Sequence, residues 1–160
     1  MKTTSVDELD VNILRLLNED ARISYRDVAK RLGVAVGTVH NRIKRLTNEG
    51  IIRGFMPLLD SGRLGYDITA LILVKARGGH LVEVEKRLAE SKDTCIVYDI
   101  TGEHDIAVIA RFKNREELNS FIKGTLAMEH VERTETSLVL NIVKENLKVC
   151  LLYTSPSPRD

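Results

Sequence analysis

The 160-residue sequence has no tryptophan, three prolines, two cysteines and an aromatic content of only 4%. So few aromatics exclude a sugar-stacking groove or an aromatic platform for single-stranded nucleic acid. Cys95 and Cys150 are too few for a disulfide scaffold and lack the CxxC spacing of a metal-binding pair, so a reducing cytoplasm is the expected compartment. No apolar run approaches the roughly 20 residues that a bilayer crossing needs. The opening MKTTSVDELD also lacks the apolar segment of a secretory signal. Net charge is missing too: 24 basic and 23 acidic residues leave +1. What remains, 43% apolar and 29% charged residues, is the composition of a globular chain with room for one ordinary domain or two small ones.

The charges are unevenly placed. Residues 1–20 carry two basic residues against five acidic ones, residues 21–54 carry eight against two, and residues 61–150 are close to balanced. A basic block inside a neutral chain marks a segment that meets a polyanion. The block coincides with three predicted helices. Ser5–Glu8 fits a capping box, and Leu9, Ile13, Leu16 and Leu17 follow at helical spacing, which predicts a helix over 7–20. A second helix starts after Ser24 and stops at Gly33. A third runs over 35–49, with Val39, Ile43 and Leu46 inward and Gly50 ending it. A small residue at Ala29, a turn glycine at Gly33 and a branched apolar residue at Val39 are what two steeply crossing helices need. They predict a helix-turn-helix over 25–44. With Val39, Ile43 and Leu46 inward, Thr38, His40, Asn41, Lys44 and Arg45 face outward, with Arg42 at the flank. His40, Asn41 and Arg45 have the donors to reach base edges; Arg26, Arg42 and Lys44 suit phosphate oxygens.

Residues 51–59 are β-like and are expected to form a wing or an arm that pairs with a second subunit. The turn-rich 61–68 is read as a linker after a DNA-binding domain over 1–60. The pattern then becomes strand (70–76), helix (81–91), strands (95–100 and 106–112), helix (115–127) and strand (132–143). This βαββαβ order over 69–145 predicts a ferredoxin-like sandwich, and the whole chain an α+β protein. Two helices on one side leave the other side of the sheet bare. Leu71–Val74 and Ile106–Ala110 nevertheless place apolar residues at consecutive positions, hence on both faces. A second copy is the natural cover, and a homodimer reads a pseudo-palindrome with its two recognition helices. Residues 146–160 are expected to be a disordered or non-native tail, since Pro156 and Pro158 preclude a regular element.

An enzyme is not expected. Glu103, His104 and Asp105 are neighbours that point to opposite faces of a strand, Cys95 has no base beside it, and no nucleotide-binding or hydrolase motif occurs. The four histidines (His40, His80, His104 and His130) are dispersed, so no metal site or cofactor is expected. The alternative to a regulator is a sensing and assembly protein of the same fold without DNA binding, which a missing salt dependence of DNA affinity would reveal.

Asp7–Leu14, Asp20–Tyr25, Val28–Val34, and Thr38–Leu46 with Glu49–Ile52 resemble the opening, turn and recognition segments of the leucine-responsive regulatory protein (Lrp/AsnC) family. The resemblance covers residues 5–145. It implies a cytoplasmic transcriptional regulator, dimeric through its C-terminal domains, often octameric, with an amino-acid effector between neighbouring subunits. It places Thr101, Gly102 and Asp105 in the effector loop, beside the variable neighbours Glu103 and His104. A loop glycine exposes N–H groups to a carboxylate, and an acidic residue suits an ammonium. Ala35 and Gly37 depart from the family pattern, which favours a capping residue and a larger polar residue there.

Overall fold

The computed structural model describes residues 5–151, which divide into two compact units. One contains the chain up to Pro57 together with the segment from Asn146; the other runs from Leu58 to Glu145.

The first unit holds α1 (Glu8–Glu19), α2 (Tyr25–Leu32) and α3 (Val36–Asn48). The capping box of α1 is built from Asp7 and Asp10 rather than from Ser5 and Glu8. Asp10 N–H donates to Asp7 Oδ1 at 2.9 Å, and Asp7 N–H donates to Asp10 Oδ2 at 3.1 Å. A carboxylate caps as well as a hydroxyl, and this start keeps Ile13 and Leu17 buried. Ser24 caps α2 by accepting from Asp27 N–H at 3.1 Å. Gly33 ends it at φ +67°, a left-handed conformation that glycine adopts without a Cβ penalty. Ala35 supplies no side-chain cap to α3. Ile13, Leu17, Val28, Ala29, Val39, Ile43, Leu46 and Ile52 form the core of this unit.

Within the single chain no wing forms over 51–59, where residues 53–60 carry no strand; the arm expected as the alternative would find its ladder only on a second subunit. Ile51 and Ile52 both donate their N–H to Leu46 O, and Ile52 plugs the helical core. Phe55, Met56, Leu58 and Leu59 are exposed, and within the described residues no strand lies alongside to give them a ladder. Residues 146–151 run beside α1, where Leu151 O accepts from Arg15 Nε at 3.4 Å and Val149 O from Asn18 Nδ2 at 3.5 Å. The rest of the expected tail, including Pro156 and Pro158, lies outside the described residues.

The second unit comprises β1 (Ile68–Ala76), α4 (Leu81–Glu90), β2 (Thr94–Asp99), β3 (Ile106–Phe112), α5 (Arg115–Leu126) and β4 (Val131–Leu138). The sheet order is β2-β3-β1-β4 with every pair antiparallel, which is the ferredoxin-like topology. Burial alternates along the two central strands. Ala70, Ile72, Val74 and Ala76 of β1, with Ile106, Val108, Ala110 and Phe112 of β3, pack with Val84, Leu88 and Leu118 of the helices. β4 ends at Leu138, five residues before the expected end. Its neighbour β1 begins at Ile68, so beyond the bond from Val139 N–H to Thr69 O there is no strand left to pair.

Candidate functional site

On α3, His40, Asn41 and Lys44 are exposed and Thr38 is half-buried; Arg26 is exposed on α2. The ring of Tyr25, the first residue of α2, lies 5.9 Å from that of His40, which positions the imidazole on the outer face. Among the described residues, Arg26 and Lys44 make no ion pair, and their charge remains available to an incoming polyanion.

Arg42 and Arg45 are placed differently from the expectation. Their guanidiniums turn to α1, where Arg42 Nη1 donates to Asp7 and to Asp10 Oδ1 (3.2 Å for the latter) and Arg45 Nη2 donates to Asp10 Oδ2. Asp10 is fully buried, while Arg42 and Arg45 keep 31% and 36% of their side-chain surface. A carboxylate without water needs charged donors, and these two arginines supply them. Arg42 holds the Asp7 carboxyl below its ordinary pKa, helped by the Asp10 N–H. The pairing raises both guanidiniums further: Arg42 through Asp7 and then Asp10, Arg45 through Asp10. The two arginines thus clamp α3 to α1, so a contact of Arg45 to bases or of Arg42 to phosphate would have to be shared with Asp7 and Asp10. The helical pattern did reveal an acidic first turn, but not that Asp10 is buried.

The segment from Thr101 to Asp105 joins β2 to β3, closed by Ile100 N–H donating to Asp105 O at 2.8 Å. Gly102 sits at φ +119°, with nothing within 4 Å of where a Cβ would stand. Thr101, Gly102 and Glu103 are exposed, His104 is buried and Asp105 half-buried. Asp105, read as a partner for an ammonium, is already engaged. Its Oδ2 accepts from Ala76 N–H at 2.9 Å and its Oδ1 from Lys75 Nζ at 3.1 Å. The Ala76 N–H, then Lys75, hold its carboxyl below the ordinary carboxylate range. Glu103 pairs with Arg133 on β4, which lowers the Glu103 pKa, and His104 Nε2 lies 3.6 Å from Glu135. The loop is therefore latched to β1 and β4 on both sides, while Thr101 and Gly102 face outward.

The sheet face away from the helices carries Leu71, Leu73, Ile96, Tyr98, Ala107 and Ile109. The register sets Leu73 beside Ala107, Leu71 beside Ile109 and Tyr98 opposite Ala107. All are partly open to solvent, Tyr98 the most, as expected for a bare apolar face.

The dispersed histidines do not stay apart. His80 and His130, fifty positions distant in sequence, stack with ring centroids 3.6 Å apart and planes within 7°. Glu83 lies 3.3 Å from His80 Nδ1 and 3.7 Å from His130 Nε2. The only sequence signal was the three-residue step from His80 to Glu83; nothing local announces His130.

A helix-turn-helix with an exposed recognition helix, followed by a separate ferredoxin-like unit with an open apolar face, is the architecture of a DNA-binding regulator with a second domain. Residues 6–53 match the family of winged helix-turn-helix DNA-binding domains, and residues 69–149 match the Lrp/AsnC ligand binding domain. An uncharacterised HTH-type transcriptional regulator of Pyrococcus abyssi is 50% identical over 144 residues, covering 90% of this chain and 98% of its own. The HTH-type transcriptional regulator FL11 of Pyrococcus furiosus is 38% identical over 144 residues, covering 90% and 95%. Among solved structures, Escherichia coli AsnC superposes with a TM-score of 0.80 at 25% identity, covering 89% of this chain and 98% of its own. A Neisseria meningitidis transcriptional regulator in complex with L-Met gives 0.82 at 25% identity, covering 92% and 97%. The chain belongs to the Lrp/AsnC family of HTH-type transcriptional regulators. No helix of the described residues is long and apolar enough to cross a membrane.

Proposed function

We propose that this regulator acts in the cytoplasm as a homodimer that binds operator DNA through α3 and is tuned by an amino-acid effector at the β2–β3 loop. The carrying observation is the exposed face of α3. It presents His40 and Asn41 to base edges, with Thr38 at its rim and Lys44 and Arg26 toward phosphates, while Arg42 and Arg45 hold the helix against α1. The recognition element lies within residues 1–60, and residues 69–145 sense and assemble, with 61–68 as the linker.

Dimerisation covers Leu71, Leu73, Ile109 and Tyr98 with the same face of a second copy, and dimers assemble further, up to octamers. Thr101 and Gly102 offer the effector carboxylate a hydroxyl and peptide N–H groups, in a loop that Glu103, His104 and Asp105 shape. An effector changes regulation only by binding one assembly better than another.

Fluorescence anisotropy of the full chain on genomic fragments, repeated over a salt series, tests the reading. Log affinity should fall linearly with log salt on all duplexes and fall in parallel from a tighter level on the operator. Salt-independent or absent binding would favour the assembly protein without DNA binding. Light scattering with and without a panel of amino acids tests the effector: unchanged size distributions and unchanged operator affinity would refute it.

A further inference from the structure

The fold brings together three side chains that the regulatory reading does not use: His80 at the N-cap of α4, Glu83 one turn into that helix, and His130 in the loop before β4. We propose that His80 Nδ1, the Glu83 carboxylate and His130 Nε2 form a binding site for one divalent transition-metal ion of the zinc class.

The distances fit. Metal–ligand bonds of about 2.0–2.2 Å in a tetrahedral site set its ligand–ligand edges at about 3.3–3.5 Å. Glu83 turns Oε1 to His80 Nδ1 at 3.3 Å and Oε2 to His130 Nε2 at 3.7 Å, and one ligand atom from each residue lies within 4.8 Å of the others, so a small inward shift closes the shell. The two rings are parallel as they stand, so they would splay apart for the in-plane lone pairs of both nitrogens to converge on one ion with one carboxylate oxygen. Glu129, whose carboxylate is 3.6 Å from His130 Nε2, or a water completes the fourth position. Two imidazoles and one carboxylate select zinc, cobalt or nickel over magnesium or calcium, which prefer all-oxygen shells.

The backbone holds these groups in place before any ion arrives. Arg77 N–H donates to His130 O at 2.8 Å, and His80 N–H donates to Arg77 O at 3.1 Å, so a single residue ties down both histidines. His130 is the one non-glycine residue with positive φ among the described residues, at +71°. Such a conformation costs energy in a side-chain-bearing residue and persists where the surroundings enforce it. The β1–β4 register also shifts at Lys75/Ala76, which re-aims the strand end that leads into this loop. His80 and Glu83 are well exposed and open the site to solvent, while His130 lies mostly buried behind them.

The metal alone is the probe. Cobalt(II) added to the full chain, in a Cys95→Ser/Cys150→Ser background that removes the exposed thiols, should give one ion per chain and the intense visible bands of a tetrahedral site. Zinc should displace it and raise the thermal midpoint. His80→Gln and His130→Asn, the second chosen because asparagine tolerates positive φ, should each weaken binding at least tenfold and abolish the zinc-induced shift. Glu83→Gln should weaken it less and alter the spectrum. His40→Gln and His104→Gln are controls that should leave binding unchanged. A chain that binds no cobalt, or whose binding survives His80→Gln and His130→Asn, overturns the proposal.

Discussion

Replacing Asp10 by asparagine tests the clamp between α1 and α3. The carboxylate is fully buried and accepts from Asp7 N–H, Arg42 and Arg45. Charge-assisted bonds of this kind contribute about 1.5–3 kcal/mol each when both partners are buried. Here both guanidiniums keep roughly a third of their surface, and water compensates part of the loss, so about 1 kcal/mol per pair is the appropriate figure. The amide also turns an N–H₂ toward existing donors, adding about 1 kcal/mol. The expected cost is therefore about 2–3 kcal/mol. With a urea dependence near 1 kcal/mol per molar for so small a unit, the midpoint of the helical unit should drop by about 2–3 M. Circular dichroism of the full chain in urea reads this directly. Glu49→Gln is the comparison: its carboxylate is 3.7 Å from Arg45 at the surface and should matter by less than about 0.5 kcal/mol. If Asp10→Asn changed the midpoint no more than Glu49→Gln does, the clamp would be refuted.

Other outcomes follow from the same geometry. Asn41→Ala should relax base preference at one operator position, by about 1–3 kcal/mol, whereas Lys44→Ala should weaken all duplexes alike and reduce the salt slope by about one unit; anisotropy on operator and mutated operators separates them. Ile109→Glu, on the bare sheet face, should leave the chain folded but shift it toward monomer in light scattering; an unchanged dimer would place the interface elsewhere. Asp7, Glu103 and Asp105 all have carboxyl pKa values depressed in the folded chain. Their stabilising contribution is complete above the ordinary carboxylate values of 3.8 and 4.5 and is lost as pH falls through the lower folded ones. Thermal midpoints should accordingly change little between pH 7 and 5 and fall steeply below about pH 4.

Periodicity and punctuation made most of the fold readable. Ser24 and Gly33 framed α2, the apolar spacing of Val39, Ile43 and Leu46 placed α3, and the two-sided apolar pattern of β1 and β3 announced an open face. Local signals failed where the answer lay in a distant partner. Residues 51–59 have strand composition, but a strand exists only beside another, and among the described residues of one chain none lies beside them. The end of β4 was set by where β1 begins, which the sequence of β4 does not contain. At the recognition helix the face was readable, yet the destination of each cation was not. Whether an arginine on the flank of α3 meets phosphate or a buried aspartate depends on residues thirty-five positions away. In the loop before β3, Asp105 had the chemistry of a ligand contact, and only the fold revealed that Ala76 N–H and Lys75 bond to it.

The alternating burial along β1 and β3 has an evolutionary consequence. Even-numbered positions answer to the helices above them, odd-numbered positions to whatever lies below. Changes at Leu71, Leu73 or Ile109 therefore leave the packing of Ile72, Val74 and Val108 nearly untouched. Relatives of this chain are free to acquire new association partners, or lose old ones, by drift on every second letter of two strands, while the single subunit goes on folding as before.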